Sequence, residues 1–403
     1  MAMIAVLGAL DTKEAEFAYL INCVQSRHHH VLLIDTGILG ESNLQPQIRS
    51  EQVAEAGGEA LTHLRQLGER GPAMHVMARG AAKIVDELYS AGQIEAIIGM
   101  GGSGGTSVFA SAVRGLPVGF PKVLVSTMAS GDTRSIVGTK DLILIPAVVD
   151  VSGLNRISRQ IIANAANAIC GMVEGDRAEI QSDKPIIAVS MLGNTTPAVE
   201  SARPLLEAAG YEVLVFHAVG AGGRTMESLI AEGLIAGVFD LTTTELASEL
   251  TGAPCSAGPE RLTNAGKLGI PQVISVGCID FSIFGRRETI PEKYRNRKLY
   301  DWNPETTLMR TTPEESAQLG KLIAERANAA QGPVAVILPL AGYSQVGITG
   351  QPFWMPQADE ALFTAIRTNL RPEVKLIEMD THINDPRFAE EAAQMMLNLM
   401  GQK

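Results

Sequence analysis

At 403 residues and about 150 residues per domain, the chain is predicted to hold two or three domains, and 46% hydrophobic residues suffice for their cores. That composition excludes a disordered chain, while 44 acidic against 33 basic residues leave a formal charge of -11, which phosphate surfaces repel on average. Nucleic acid and anionic membranes are therefore not expected as partners. The cysteines Cys23, Cys170, Cys255 and Cys278 are far apart with no C-x-x-C, which argues against a disulfide framework or structural zinc and reads as reduced thiols in a cytoplasmic protein.

The start, MAMIAVLGALDTKEAEF, lacks a basic n-region and turns amphipathic within about ten residues, so it reads as a first strand and not as a signal peptide. No apolar run approaches the roughly 18 to 20 residues that span a bilayer; the one at 142–149 is broken by Pro146. Short Val/Ile-rich runs alternate with helical patterns, which predicts an α/β fold of mainly parallel sheets covered by helices. Strands are predicted at 4–9, 31–35, 96–100, 123–127 and 142–147, with helices at 13–27 and 81–91.

The pattern dissolves in the charged stretch GDRAEIQSDKP, and a new strand begins at Ile186, which predicts domains 1–182 and 183–403. Further strands are expected at 186–191, 212–217, 238–242, 272–276, 334–338 and 375–379, with helices at 197–209 and 386–400. Asp11 to Asp35 and Leu192 to Phe216 are both 24 positions apart, a hint of duplication, although any two compact βαβ units look somewhat alike. Residues 280–310 break the alternation, with seven basic and five aromatic side chains. A long segment without structure of its own reads as a lid or an oligomer arm, the arm being the simpler reading, and a homo-oligomer is expected.

The strongest local signal is IIGMGGSGGTS at 97–107, a strand running into glycines and then a helical pattern. Glycines there let a backbone approach a ligand, and the following helix offers free N–H groups to an anion, phosphate being the natural occupant. Gly99, Gly101 and Gly104 match G-x-G-x-x-G, but the turn is not after the first strand and no acid follows before Asp132, so the dinucleotide fingerprint is incomplete. No P-loop occurs, and a tight helix-sheet crossing would use the same glycines for packing alone. Other strand ends add Asp11 and Thr12, as helix caps or ligand contacts, and Lys13, which can meet a phosphate. Asp35 is suited to ribose hydroxyls or a magnesium-bound water, and Thr127, Ser130, Gly131 and Asp132 follow a further strand. In an open parallel sheet these ends share one edge, so one crevice can collect them.

The runs GALDTK, IGMGGSGGTS, PKVLVSTMASGDT, VGTKDL and PAVVDVSGLN, with MLGNTTPAV, LVFHAVGAGGRTMESL, DLTTTELA and SVGCIDF after them, resemble the ATP-binding domain family named after the tomato mosaic virus resistance protein. The resemblance covers nearly the whole chain in order and implies two Rossmann-like subdomains with an ATP site in the first. It carries nucleotide contact onto Gly101, Gly102, Ser103, Gly104, Gly105 and Thr106, onto Asp11, Thr12 and Lys13, and onto Ser130 and Gly131, with magnesium entering through the nucleotide.

In the second half HAVGAGGRT reads as another anion turn, where Arg224 can fork onto a carboxylate or phosphate and His217 stands beside it as the second catalytic candidate. His382 is a further candidate, and His28 to His30 read as solvated surface without a partner carboxylate. Three functions follow. The first is a Mg-ATP-dependent enzyme acting on a small anionic metabolite in an interdomain cleft. The second is a nucleotide-gated protein-binding module. The third is a sugar-acid or phosphometabolite enzyme whose glycine turn holds the substrate's own phosphate.

Overall fold

The computed structural model describes residues 1–175 and 184–401 and divides into two compact units, Met1–Glu179 and Ile180–Lys403. The expected boundary between residues 182 and 183 lies outside the described residues. In the first unit, β1 (Met3–Gly8), β2 (His30–Asp35), β3 (Ala96–Gly101), β4 (Lys122–Ser126) and β5 (Ile143–Pro146) form one parallel sheet in the order β2-β1-β3-β4-β5. A strand buried on both faces must be apolar at every position, which is why β1 reads as a continuous hydrophobic run. Ile4 and Val6 pack with Phe17, Leu20, Ile162 and Ile169 of the Leu10–Gln25 and Arg156–Glu174 helices. Ala5 and Leu7 pack on the opposite face with Met77, Val85 and Phe109 of the Arg70–Ser90 and Ser103–Ala112 helices.

The second unit repeats this winding. Its strands β6 (Ile186–Met191), β7 (Glu212–His217), β8 (Gly237–Thr242) and β9 (Gln272–Gly277) are followed by β10 (Phe281–Phe284), β11 (Leu299–Asn303) and β12 (Thr306–Arg310), then β13 (Val334–Pro339) and β14 (Lys375–Met379). The main sheet is parallel in the order β14-β13-β9-β8-β6-β7. In both sheets the first strand lies between the second and third, so each has one reversal of winding, at β1/β3 and at β6/β8. Adjacent loops depart in opposite directions at such a point and leave a crevice beyond the carboxyl ends of the strands.

Residues 280–310 do carry structure of their own, which corrects the reading of an irregular segment. Strands β10, β12 and β11 form a small antiparallel sheet in that order, pairing Ile283 with Leu308 and Leu308 with Tyr300. Phe281, Ile283, Phe284, Leu308 and Met309 are buried, and Arg286, Arg287 and Arg297 pair with Glu305, Asp301 and Glu315. No helix among the described residues is long and apolar enough to cross a membrane.

Candidate functional site

A cavity of about 620 Å³ opens in the first unit beyond the ends of β1 and β3, a size suited to a small-molecule site. One wall is the turn from β3 into the Ser103–Ala112 helix. Gly102 caps this helix and brings no capping side chain, so its first N–H groups receive no side-chain partner there. Together with the helix dipole, equivalent to about half a positive charge, they favour an anion. Gly101 is needed for the bend itself, since a Cβ there would stand 2.9 Å from Gly105 Cα. Over the turn lies the start of the Arg70–Ser90 helix: a Cβ on Gly104 would meet Met74 Cε at 3.2 Å and Arg70 Nη2 at 3.3 Å.

The facing wall follows β1. Asp11 Oδ2 accepts the Leu39 N–H at 2.7 Å, whereas Asp11 Oδ1 is buried and accepts no hydrogen bond. Leaving a buried acceptor unsatisfied costs about 1–3 kcal/mol unless something else meets it. Lys13 departs from helical geometry inside the Leu10–Gln25 helix (φ -139°, ψ 31°), and its ammonium donates to Val151 O. Arg65 donates to Ile38 O at 2.6 Å and to Gly40 O at 3.3 Å. Arg70 also lines the cavity, and none of these three cations forms an ion pair with a carboxylate among the described residues. Ile38, Leu39, Leu64, Met74 and Met128 make much of the remaining lining apolar.

The cavity thus brings together Asp11, Thr12, Lys13, Gly101, Gly102, Ser103, Gly104, Gly105 and Thr127. Four expected contacts lie outside its lining. Asp35 is buried, and its Oδ1 accepts the N–H groups of Leu10 at 3.1 Å and Gly37 at 2.8 Å. Burial raises its pKa against the pull of those amides, and the carboxylate ties the start of the Leu10–Gln25 helix to the loop after β2. Thr106 is buried with its hydroxyl 2.6 Å from Ser126 Oγ, so it packs the helix onto the sheet. Ser130 and Gly131 are exposed in the turn after β4, where Arg134 holds the Asp132 carboxyl down at about 2. Sequence reasoning missed Arg65, Arg70 and Met74. They come from helices between β2 and β3, and the local sign of Arg70 and Met74 is the run GERGPAM, which does not reach Arg65.

At the second reversal the anion turn is already filled. Gly220 (φ 88°) opens the Ala221–Ala231 helix, and the N–H groups of Gly220 and Gly223 donate to Glu245 Oε1 at 2.6 and 3.1 Å. A Cβ on Gly223 would lie 2.0 Å from Glu245 Oε2, so glycine is required for the carboxylate to seat. Arg261, fully buried, holds Glu245 Oε2 at 2.7 Å, grips both oxygens of Asp240, and stands 3.8 Å from Glu227. Burial works against the Arg261 charge, but Asp240, Glu245 and Glu227 outweigh it and its pKa rises; burial also raises Glu227. Ser190 donates to Asp240 at 2.6 Å, and the hydroxyls of Thr195 and Thr242 meet at 2.8 Å.

This filling corrects the expectation that GAGGRT presents its amides to a substrate. Arg224 is exposed and donates to Ser256 O at 2.5 Å, and His217 is exposed at the end of edge strand β7. His382 holds a turn, 3.2 Å from Ser344 O and accepting the Asn384 N–H at 3.1 Å. His29 is buried, accepts the Ala2 N–H and lies 2.9 Å from Glu174, so the histidine run does have a partner carboxylate. The four cysteines are free thiols.

Residues 2–178 match the N-terminal domain model, and 184–400 the C-terminal domain model, of an uncharacterised protein family, UPF0261. A UPF0261 protein of Clostridium tetani is 46% identical over 398 residues, covering 98% of each chain. A second, from Rhizobium meliloti, is 41% identical over 394 residues, covering 97% of this chain and 98% of that one. The ToMV resistance protein Tm-1 of Solanum lycopersicum is 39% identical over 339 residues, 82% of this chain but 45% of the tomato protein.

Proposed function

The chain belongs to the UPF0261 family, and from that premise we propose that its first unit binds ATP as the magnesium complex in the β1/β3 crevice. One observation carries this reading: a single cavity joins a glycine-walled helix N-terminus, three cations without carboxylate partners and the Asp11 side chain in its lining. Such a site is matched by a polyanion accompanied by a hard cation. The Gly101–Gly105 turn with Lys13 and Arg70 would hold phosphates, and the apolar wall of Ile38, Leu39, Leu64 and Met74 suits a nucleobase. Magnesium is commonly bound by one or two carboxylates plus phosphates, and the Asp11 carboxylate would supply the protein ligand. Bound there, the ion would neutralise phosphate charge and polarise the transferable group.

ATP-dependent chemistry on a small anionic metabolite and nucleotide-gated binding both begin with this event. The apolar wall favours a nucleotide over a small phosphometabolite, which would leave that surface uncovered. Calorimetric titration with ATP and magnesium tests the reading. The folded wild-type protein should bind, and Gly104→Val, whose side chain would enter the turn beside the flexible ends of Arg70 and Met74, should weaken binding at least 30-fold, about 2 kcal/mol, with an unchanged circular dichroism spectrum. A folded variant with wild-type affinity would contradict it. Phosphate release stimulated by a small carboxylate or phosphorylated compound would favour the enzyme; binding without release would favour the gated module.

A further inference from the structure

We infer that Arg70 is the residue by which the first-unit site reads phosphate charge, so that the site selects nucleoside polyphosphates over monophosphates. The inference rests on the nucleotide reading above. Arg70 is set by backbone geometry at a corner: the Leu61–Leu67 helix ends on left-handed Gly68 (φ 63°), Glu69 caps the next helix, and Arg70 is its first residue. From there Nη2 reaches to 3.3 Å from the position of a Cβ on Gly104, over the first turn of the Ser103–Ala112 helix.

This is an unfavourable place for a cation. A positive side chain in the first turn of its own helix opposes that helix dipole, and here it also faces the positive end of a second helix. No hydrogen bond or ion pair to any described residue offsets this. Three arginines of the second unit are neutralised: Arg261 by three carboxylates, Arg310 by Asp359, and Arg297 by Glu315. Glu69, next to Arg70 and also lining the cavity, makes no ion pair with it. Lys13 and Arg65 differ, because each is anchored to backbone carbonyls and so fixes a loop. An anion seated between Arg70 and the Gly102–Gly105 turn would relieve both repulsions at once and take the guanidinium's two-pronged hydrogen bonding. Each added phosphate charge strengthens that attraction, which makes the site charge-selective.

The test compares ATP and AMP, each with magnesium, on the full chain by calorimetry, for the wild type, Arg70→Ala and Arg70→Lys. Arg70 is exposed, so circular dichroism should show all three folded. Arg70→Ala should lose at least tenfold in ATP affinity and at most twofold in AMP affinity, and Arg70→Lys should recover part of the loss, because a point charge cannot fork. ATP affinity within twofold of wild type in Arg70→Ala, or equal losses for ATP and AMP, overturns the inference while leaving the nucleotide reading intact. A wild-type protein that does not bind ATP overturns both.

Discussion

The first and second units wind their sheets in the same order, yet what stands at their reversal points differs in chemistry. At β6/β8 the amides of Gly220 and Gly223 close on Glu245, and Arg261 ties that carboxylate to Asp240 in a buried, mutually satisfied network. At β1/β3 the corresponding turn has no capping side chain, Arg70 has no counter-charge, and Asp11 Oδ1 has no donor. The same backbone frame is left open in the first unit and closed by the chain's own side chains in the second. The unmet groups of the first unit are costs that a ligand can repay, whereas the second unit has used the same geometry for stability.

The largest expected effect lies in the filled network. Arg261→Met leaves three carboxylates buried without their cation, and removing one partner from such a cluster costs about 3–5 kcal/mol. Denaturant unfolding should show that loss. A variant within about 1 kcal/mol of wild type would mean that the second reversal is less tightly filled than its contacts indicate.

A somewhat smaller effect sharpens the contrast between two carboxylates that each have an oxygen without a donor. Asp11 borders an open cavity, but Asp280 is sealed in the second unit, with Oδ2 accepting the Ser344 hydroxyl at 2.6 Å and Oδ1 unmet. Burial pushes its pKa up to about 6 from the ordinary 3.8, with Arg310 opposing the shift. Because the folded state holds this proton more tightly than the unfolded chain, the contribution to stability is full below pH 4 and is lost as pH rises through 6. Roughly two units correspond to about 3 kcal/mol. The stability difference between Asp280→Asn and wild type should therefore shift toward the variant by up to that amount between pH 4 and pH 7. A difference independent of pH would show that Asp280 is not strained by burial.

The strands were legible in the sequence as short Val/Ile/Leu-rich runs; β6, mostly buried, and the edge strands β7 and β14, partly exposed, all match their predicted ranges. The glycine turn was legible for a related reason, since the Gly101 bend admits no Cβ. Direction at a strand end was not. Asp35 and Thr106 sit in suitable segments, but their side chains turn inward to Gly37 and Leu10 and to Ser126, a choice made by packing. Arg70 was hidden because only the folded path of the helices between β2 and β3 carries it to Gly104. Glu245, in DLTTTELA, and Arg261 are 16 positions apart with no spacing that joins them, so their meeting at the second anion turn belongs to tertiary structure. The sheet of β10, β11 and β12 escaped notice because its strands are short and interrupted by paired charges.

The most direct test of an open first reversal and a filled second one is the stoichiometry of ATP binding with magnesium, measured by calorimetry on the full chain and on two variants. One nucleotide per chain is predicted, lost in Gly104→Val and retained within twofold affinity in Arg224→Ala, whose guanidinium is exposed on Ser256 O. Two nucleotides per chain, or a single site that survives Gly104→Val and disappears in Arg224→Ala, would contradict the account.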